Sequence, residues 1–149
     1  RLPKADLVLC VNSLLMPDLA PRKRALDSLT RSIRRKGHLL LVTPSLESSL
    51  YASSQLIGWN LRSGMSPAAA VNAGHAHKPN DLQQGIVTIN GTPTKHFLRE
   101  ELIAHLQQRG LRIRKIRKIK YPWTTEFHHP PKWMKKPHPW DWLVTAHKP

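Results

Sequence analysis

The chain has 149 residues, 24 Lys or Arg against 9 Asp or Glu, a formal charge of +15 and 40% hydrophobic residues. That length and apolar content support one folded domain and exclude a wholly disordered chain. The charge favours an anionic partner such as nucleic acid, an anionic membrane surface or an acidic protein, although a merely solvated basic surface accounts for it equally well. A single cysteine, Cys10, excludes an intramolecular disulfide and a multi-cysteine zinc site, so a reducing, cytoplasmic setting is expected. No apolar run approaches the ~20 residues that span a bilayer, and no membrane partner is expected. Because the chain opens on Arg1, just before an apolar run, a fragment or a processed product is expected.

Asp6 to Val11 (DLVLCV) is a short apolar run that reads as a buried strand, ended by Asn12, Ser13 and Pro17. A helix follows from about Asp18, with Pro21 in its first turn, where a missing N–H costs nothing. Ala25, Leu26, Leu29 and Ile33 fall on one stripe, and the spacing predicts that the helix runs on to Arg34–Lys36, whose cations suit its C-terminal dipole. Gly37 then takes the helix-ending position that favours positive φ. Leu39 to Val42 shows no polar alternation, as expected of a strand buried on both faces, and Pro44 stops it. Strand, helix and strand make a βαβ unit with two parallel strands.

Ser45 can cap a second helix, with Leu46, Leu50, Ile57 and Leu61 along one side. Residues 64–80 read as a loop with one possible helical turn at Ser66–Val71, Gly85–Ile89 as a short strand, and Asn90–Gly91 as a turn. Arg99–Arg109 is a helix ended by Gly110, with Leu98 a poor N-cap. In Leu111–Tyr121 isoleucines recur every third residue, which fits a strand with a bulge. The proline-rich stretch Pro122–Pro139 is a loop, and Trp142–Ala146 a last strand.

This order resembles the second half of class I (Rossmann-like) S-adenosylmethionine-dependent methyltransferases. ADLVLCVNSLLMPD at Ala5–Asp18 is similar to that family's fourth strand and following loop. SIRRKGHLLLVTPSLES at Ser32–Ser48 resembles its helix, glycine turn and fifth strand, with Lys36-Gly37-His38 where the family often has Pro-Gly-Gly. FLREELIAHLQQRGLRI at Phe97–Ile113 resembles the helix and sixth strand, and WDWLVTAHKP at Trp140–Pro149 the seventh. The implied fold class is α/β: an incomplete methyltransferase sheet of the family's fourth, fifth, seventh and sixth strands, with flanking helices. It divides into a βαβ core (1–45), a helical and loop insertion on the substrate side (46–96), and a helix with the last two strands (97–149).

The resemblance implies S-adenosyl-L-methionine as cofactor. Val11, Asn12, Ser13 and Leu14 would lie beside the sulfonium. Thr43, Ser45, Tyr51, Trp59, Trp123 and Glu126 would face the substrate. Each has a plainer alternative: loop capping for Asn12, helix capping for Ser45, core packing for Tyr51 and Trp59, and a hydrophobic plug for the loop holding Trp123, Glu126, Phe127, His128 and His129. His75, His77, His128 and His129 suggest surface positions rather than a metal site, since no cysteine or aspartate clusters with them. No spacing selects a general base. The glycine-rich loop and the acid that grips the ribose are missing from the sequence. The chain is therefore expected to lack most cofactor contacts and to need an N-terminal half, in the same gene product or in trans.

The expected function is methyl transfer to an unidentified acceptor, a small molecule before RNA. The alternative is a non-catalytic basic nucleic-acid-binding module. Its basis is Arg112–Lys120, with six cations in nine residues, which a charge-protected edge strand explains as well.

Overall fold

The computed structural model describes residues 3–73 and 79–149. A four-stranded sheet runs β1 (Ala5–Val11), β2 (Ile33–Pro44), β6 (Trp140–His147), β5 (Arg112–Lys120) across its width. β1 and β2 are parallel, and β6 is antiparallel to both β2 and β5. Helix α1 (Leu19–Arg31) links β1 to β2, and α2 (Leu46–Arg62), α3 (Pro67–Ala73) and α4 (Pro79–Gln83) follow. A separate hairpin, β3 (Ile86–Ile89) and β4 (Thr92–Lys95), precedes α5 (Arg99–Gln107). Its two-residue turn puts Asn90 at φ 49° and Gly91 at φ 78°, the left-handed pair that matches the twist of a hairpin.

The sheet's two faces follow from register and alternation. Leu39, Leu41, Val144 and Ala146 are buried in the main core with Leu26, Phe97, Leu102 and Leu106 from the helices and the segment before α5. Leu40 belongs to the opposite face and is only half-buried, so the expectation that Leu39–Val42 is buried on both faces holds for Leu39, Leu41 and Val42 alone. On that second face Leu7, Leu9 and Val11 of β1 are 63%, 65% and 48% exposed. β1 also forms one edge of the sheet, with no strand beyond it among the described residues.

α1 is shorter than the apolar stripe suggested. It ends at Arg31, and Ile33 already pairs with Ala5 as fully buried strand. A buried strand residue at the next helical position mimics another turn of helix, which is why the stripe overran. Arg34–Lys36 therefore bulge out between the Ala5–Ile33 and Leu7–His38 pairs instead of ending a helix. The helix C-terminus keeps Arg31 in its last turn and gains a second cation from β6's end, where Lys148 Nζ donates to Thr30 O at 3.0 Å and Ile33 O at 3.2 Å. Gly37 is not the left-handed residue; Lys36 is, at φ 63°. A Cβ at Gly37 would sit 2.9 Å from Arg34 O and 3.1 Å from the carbonyls of Ala5 and Asp6, so the glycine is required by close backbone approach in the bulge.

β5 carries its own irregularity, between Ile113 and Lys115, which breaks the alternation and leaves Ile113 and Ile116 against the core despite their three-residue spacing. At α5, Glu101 accepts from Leu98 N–H at 3.3 Å, and Glu47 of α2 accepts from Arg99 N–H at 2.9 Å. Two carboxylates thus compensate for a leucine at the N-cap.

Candidate functional site

A cleft of about 810 Å³ opens at the end of the sheet where β1, β2 and β5 finish and β6 starts. Its floor comes from Asn12 and Leu15 after β1, Pro44 and Ser45 after β2, and Tyr121 and Asp141 on the β5–β6 side. The hairpin forms the roof, through Val87–Asn90, Thr92 and Thr94. Backbone bonds hold that roof down: Lys95 N–H donates to Leu15 O at 2.9 Å, and Phe97 N–H to Pro44 O at 2.9 Å. Lys95, 2% exposed on its side chain, reaches Glu101 at 2.7 Å and donates to Gln84 O at 2.8 Å. Burial lowers its pKa, and the Glu101 carboxylate acts against that shift. Gly85 takes φ 70°, and a Cβ there would overlap the His96 carbonyl, so the chain passes close under the hairpin only because no side chain is present.

The ionisable groups of the cleft are Asp141, Glu126 and Tyr121, with His96 at its edge. Tyr121 donates to Glu126 Oε1 at 2.7 Å. Burial first, and the neighbouring Glu126 carboxylate second, push the Asp141 carboxyl up to about 6; the Asn12 amide acts the other way. The Tyr121 hydroxyl is raised far above its usual range by burial and by the same two carboxylates, so it remains a neutral donor. A carboxyl that changes charge near pH 6, beside a fixed donor, can hold or accept a proton at neutral pH.

Of the residues singled out in the sequence, Asn12, Ser45 and Glu126 come together in this cleft. Ser45 also caps α2, accepting from Ser48 N–H at 3.1 Å and donating to Glu47 Oε2 at 3.0 Å. Ser13 is exposed and donates to Val11 O at 2.9 Å, a local loop bond. Val11 lies on the open sheet face, and the Leu14 side chain is buried in the core. Thr43 is 0% exposed, its hydroxyl has no hydrogen-bond partner among the described residues, and it does not line the cleft.

The aromatic candidates form a second apolar cluster. Trp123 is buried against Ala52 and Met134, stacks on Phe127 with centroids 5.7 Å apart, and donates its indole N–H to Lys135 O at 2.7 Å. Tyr51 lies 5.5 Å from the Trp123 ring, and Trp59 meets Phe127 edge-on at 6.1 Å. This is the plug arrangement, in which the proline-rich loop packs on α2. His128 and His129 are exposed neighbours with ring centroids 4.0 Å apart. His75 and His77 lie outside the described residues. No group of three or more metal-ligating side chains occurs among the described residues.

Asp141, Tyr121 and the hairpin roof were not anticipated. Asp141 and Tyr121 sit in ordinary strand-end sequence and become site residues only because β5 and β6 pair antiparallel, Lys120 opposite Trp140. One signal was available: Asp141 is an acid between two tryptophans.

No protein-family model matches the sequence, and no curated protein matches it. Among solved structures, the chain superposes on an S-adenosylmethionine-dependent methyltransferase from Methanosarcina mazei, with TM-score 0.58 and 15% identity, over 99% of its own length and 61% of the other. A Listeria monocytogenes protein provisionally assigned to the same class gives TM-score 0.57 and 13% identity, over 100% and 64%. At these identities the likeness is one of fold. The chain thus has a methyltransferase-like fold and spans about 61–64% of the length of the solved structures it matches. No helix among the described residues is long and apolar enough to cross a membrane.

Proposed function

We propose that the chain is the C-terminal part of an S-adenosylmethionine-dependent methyltransferase domain, with the acceptor bound in the cleft. The observation that carries this reading is the position of the cleft, outside the carboxyl ends of two parallel strands, where ligands sit in doubly wound sheets. When bound, S-adenosylmethionine supplies an electrophilic methyl group on a sulfonium. The residues present fit one wall of such a site. A sulfonium is a cation, and Glu126 and Asp141 offset some of the positive field of a +15 chain beside it. This reading assigns the glycine-rich loop and the acid for the ribose diol to an N-terminal half, in the same polypeptide or in trans, which would supply the other wall.

Asn12, just after β1, orients the groups nearest the reacting centre. Asp141 accepts the proton of an N–H or O–H acceptor once the pH exceeds about 6. Glu126, held by Tyr121, keeps that carboxyl basic. The volume of the cleft, about 810 Å³, favours a small-molecule acceptor over a large one. The test is calorimetry with S-adenosylmethionine on the 149-residue chain and on the chain completed by an N-terminal half, fused or added in trans. The chain alone is expected to bind no better than millimolar, about 4 kcal/mol, and the completed domain in the micromolar range, about 8 kcal/mol. Micromolar binding by the chain alone would overturn the half-site reading.

A further inference from the structure

The edge of the sheet opposite β1 carries a charge that the cleft does not use. β5 has six cations in nine residues: Arg112, Arg114, Lys115, Arg117, Lys118 and Lys120. All six are exposed. No ion pair among the described residues involves any of them, although Arg34, Lys95, Arg99 and Arg109 each find a carboxylate. Arg114 donates only to the His147 ring, at 3.1 Å, and Lys118 lies 3.5 Å over the Trp140 ring.

These cations form a line. Side chains on one face of a strand recur every ~7 Å, and β5, an edge strand among the described residues, keeps its six cations exposed while Ile113 and Ile116 turn to the core. At its start the line meets His147 and His38 across the sheet, close to the bulge bearing the exposed Arg35 and Lys36. At its other end Lys120 lies next to Tyr121, which lines the cleft. Edge protection needs only one or two charges. Six unneutralised cations in a row repel one another, a cost that an anionic polymer laid along them would remove.

We propose that β5 is a docking ridge for the phosphate backbone of single-stranded RNA, running from the bulge toward the mouth of the cleft. A narrow ridge fits an extended polymer better than a plane, and the apolar residues that could anchor in a bilayer, Leu7, Leu9 and Val11, lie on the far edge of the sheet. This goes beyond the methyl-transfer reading and stands without it.

The experiment is fluorescence anisotropy with a short mixed-sequence single-stranded RNA, with no cofactor present. If about four of the cations engage phosphates, affinity falls about fifty-fold between about 50 and 200 mM salt. Arg114→Gln, Arg117→Gln and Lys120→Gln together should weaken binding at least tenfold and flatten the salt dependence. Arg114→Lys with Arg117→Lys, which keep the charge, should leave affinity within about threefold. The control removes as many exposed cations from α1, as Lys23→Gln, Arg24→Gln and Arg31→Gln, and should change affinity less than threefold. Equal losses in the β5 and α1 variants would reduce the effect to general charge attraction and overturn the proposal. So would the absence of RNA binding, or retention on vesicles containing phosphatidylserine in preference to RNA.

Discussion

The two faces of the sheet are built from the same kind of residue and meet different surroundings. On one, Leu39, Leu41, Val144 and Ala146 are 0–1% exposed beneath α1 and α5. On the other, Val42 is buried, Leu40 and Leu143 are half-buried, and at the β1 edge Leu7, Leu9 and Val11 stand open. Fully burying a leucine or valine stabilises by about 1.5–3 kcal/mol, so three exposed side chains in a row forgo a gain that folded domains normally take. β1 shows the same shortfall in its backbone, since its outer edge has no partner strand among the described residues and no lysine or proline between Leu7 and Val11 to guard it. The difference teaches that β1 has the composition of a central strand and the position of an edge strand. The span of 61–64% of the matched structures fits that reading.

The largest effect expected separates the faces directly. Leu41→Asp places a charge without a partner in the finished core and costs several kcal/mol of a stability of about 5–15, so little folded protein should survive by circular dichroism. Leu9→Asp, on the open face, should shift stability by no more than about 0.5 kcal/mol. Leu40→Asp, half-buried beside Leu9, should fall between them. If Leu9→Asp unfolds the chain as completely as Leu41→Asp, the second face is covered in solution and the contrast disappears.

A smaller effect concerns association. The isolated chain should self-associate through β1, seen as a concentration-dependent mass in light scattering, and Leu9→Lys should shift it toward the monomer by charging the edge. An unchanged mass in the variant would place the contact elsewhere. A chain that is monomeric throughout would mean that the open edge is not adhesive.

Much of this fold was legible because it rests on local signals. Apolar runs bounded by proline or polar residues gave β1 and β2, Gly85–Ile89 and Asn90–Gly91 gave β3 and the turn after it but not β4, and Gly110 closed α5. Errors arose where periodicity was ambiguous. Ile33 continues the helical stripe of Leu29 yet belongs to a strand, and Arg34–Lys36 look like a helix end yet form a bulge. The cleft was legible only in part, since Asn12 and Ser45 follow from strand ends, whereas Asp141 depends on how β5 and β6 pair. Glu47 was invisible for the same reason: it joins Ser45, Arg99 N–H and the Trp142 indole, partners up to 95 residues apart.

The smallest effect is a pH dependence at the end of the sheet where the two faces meet the cleft. Asp141 titrates near 6 in the folded chain against 3.8 for an unburied aspartate. The folded state therefore binds that proton more tightly than the unfolded state, and the group's contribution to stability falls as pH rises from about 4 to 6, then stays level. Asn cannot ionise, so Asp141→Asn should match the native chain near pH 4 and exceed it above pH 6, by on the order of 1 kcal/mol once solvent screening is allowed for. Urea midpoints at about pH 4, 5 and 7 read this difference. Glu126→Gln should narrow the window, because the Glu126 carboxylate is the second cause of the shift after burial. A difference between Asp141→Asn and the native chain that stays constant across those three pH values would mean that Asp141 is solvated. The cleft would then lack a carboxyl poised to take up a proton near neutral pH.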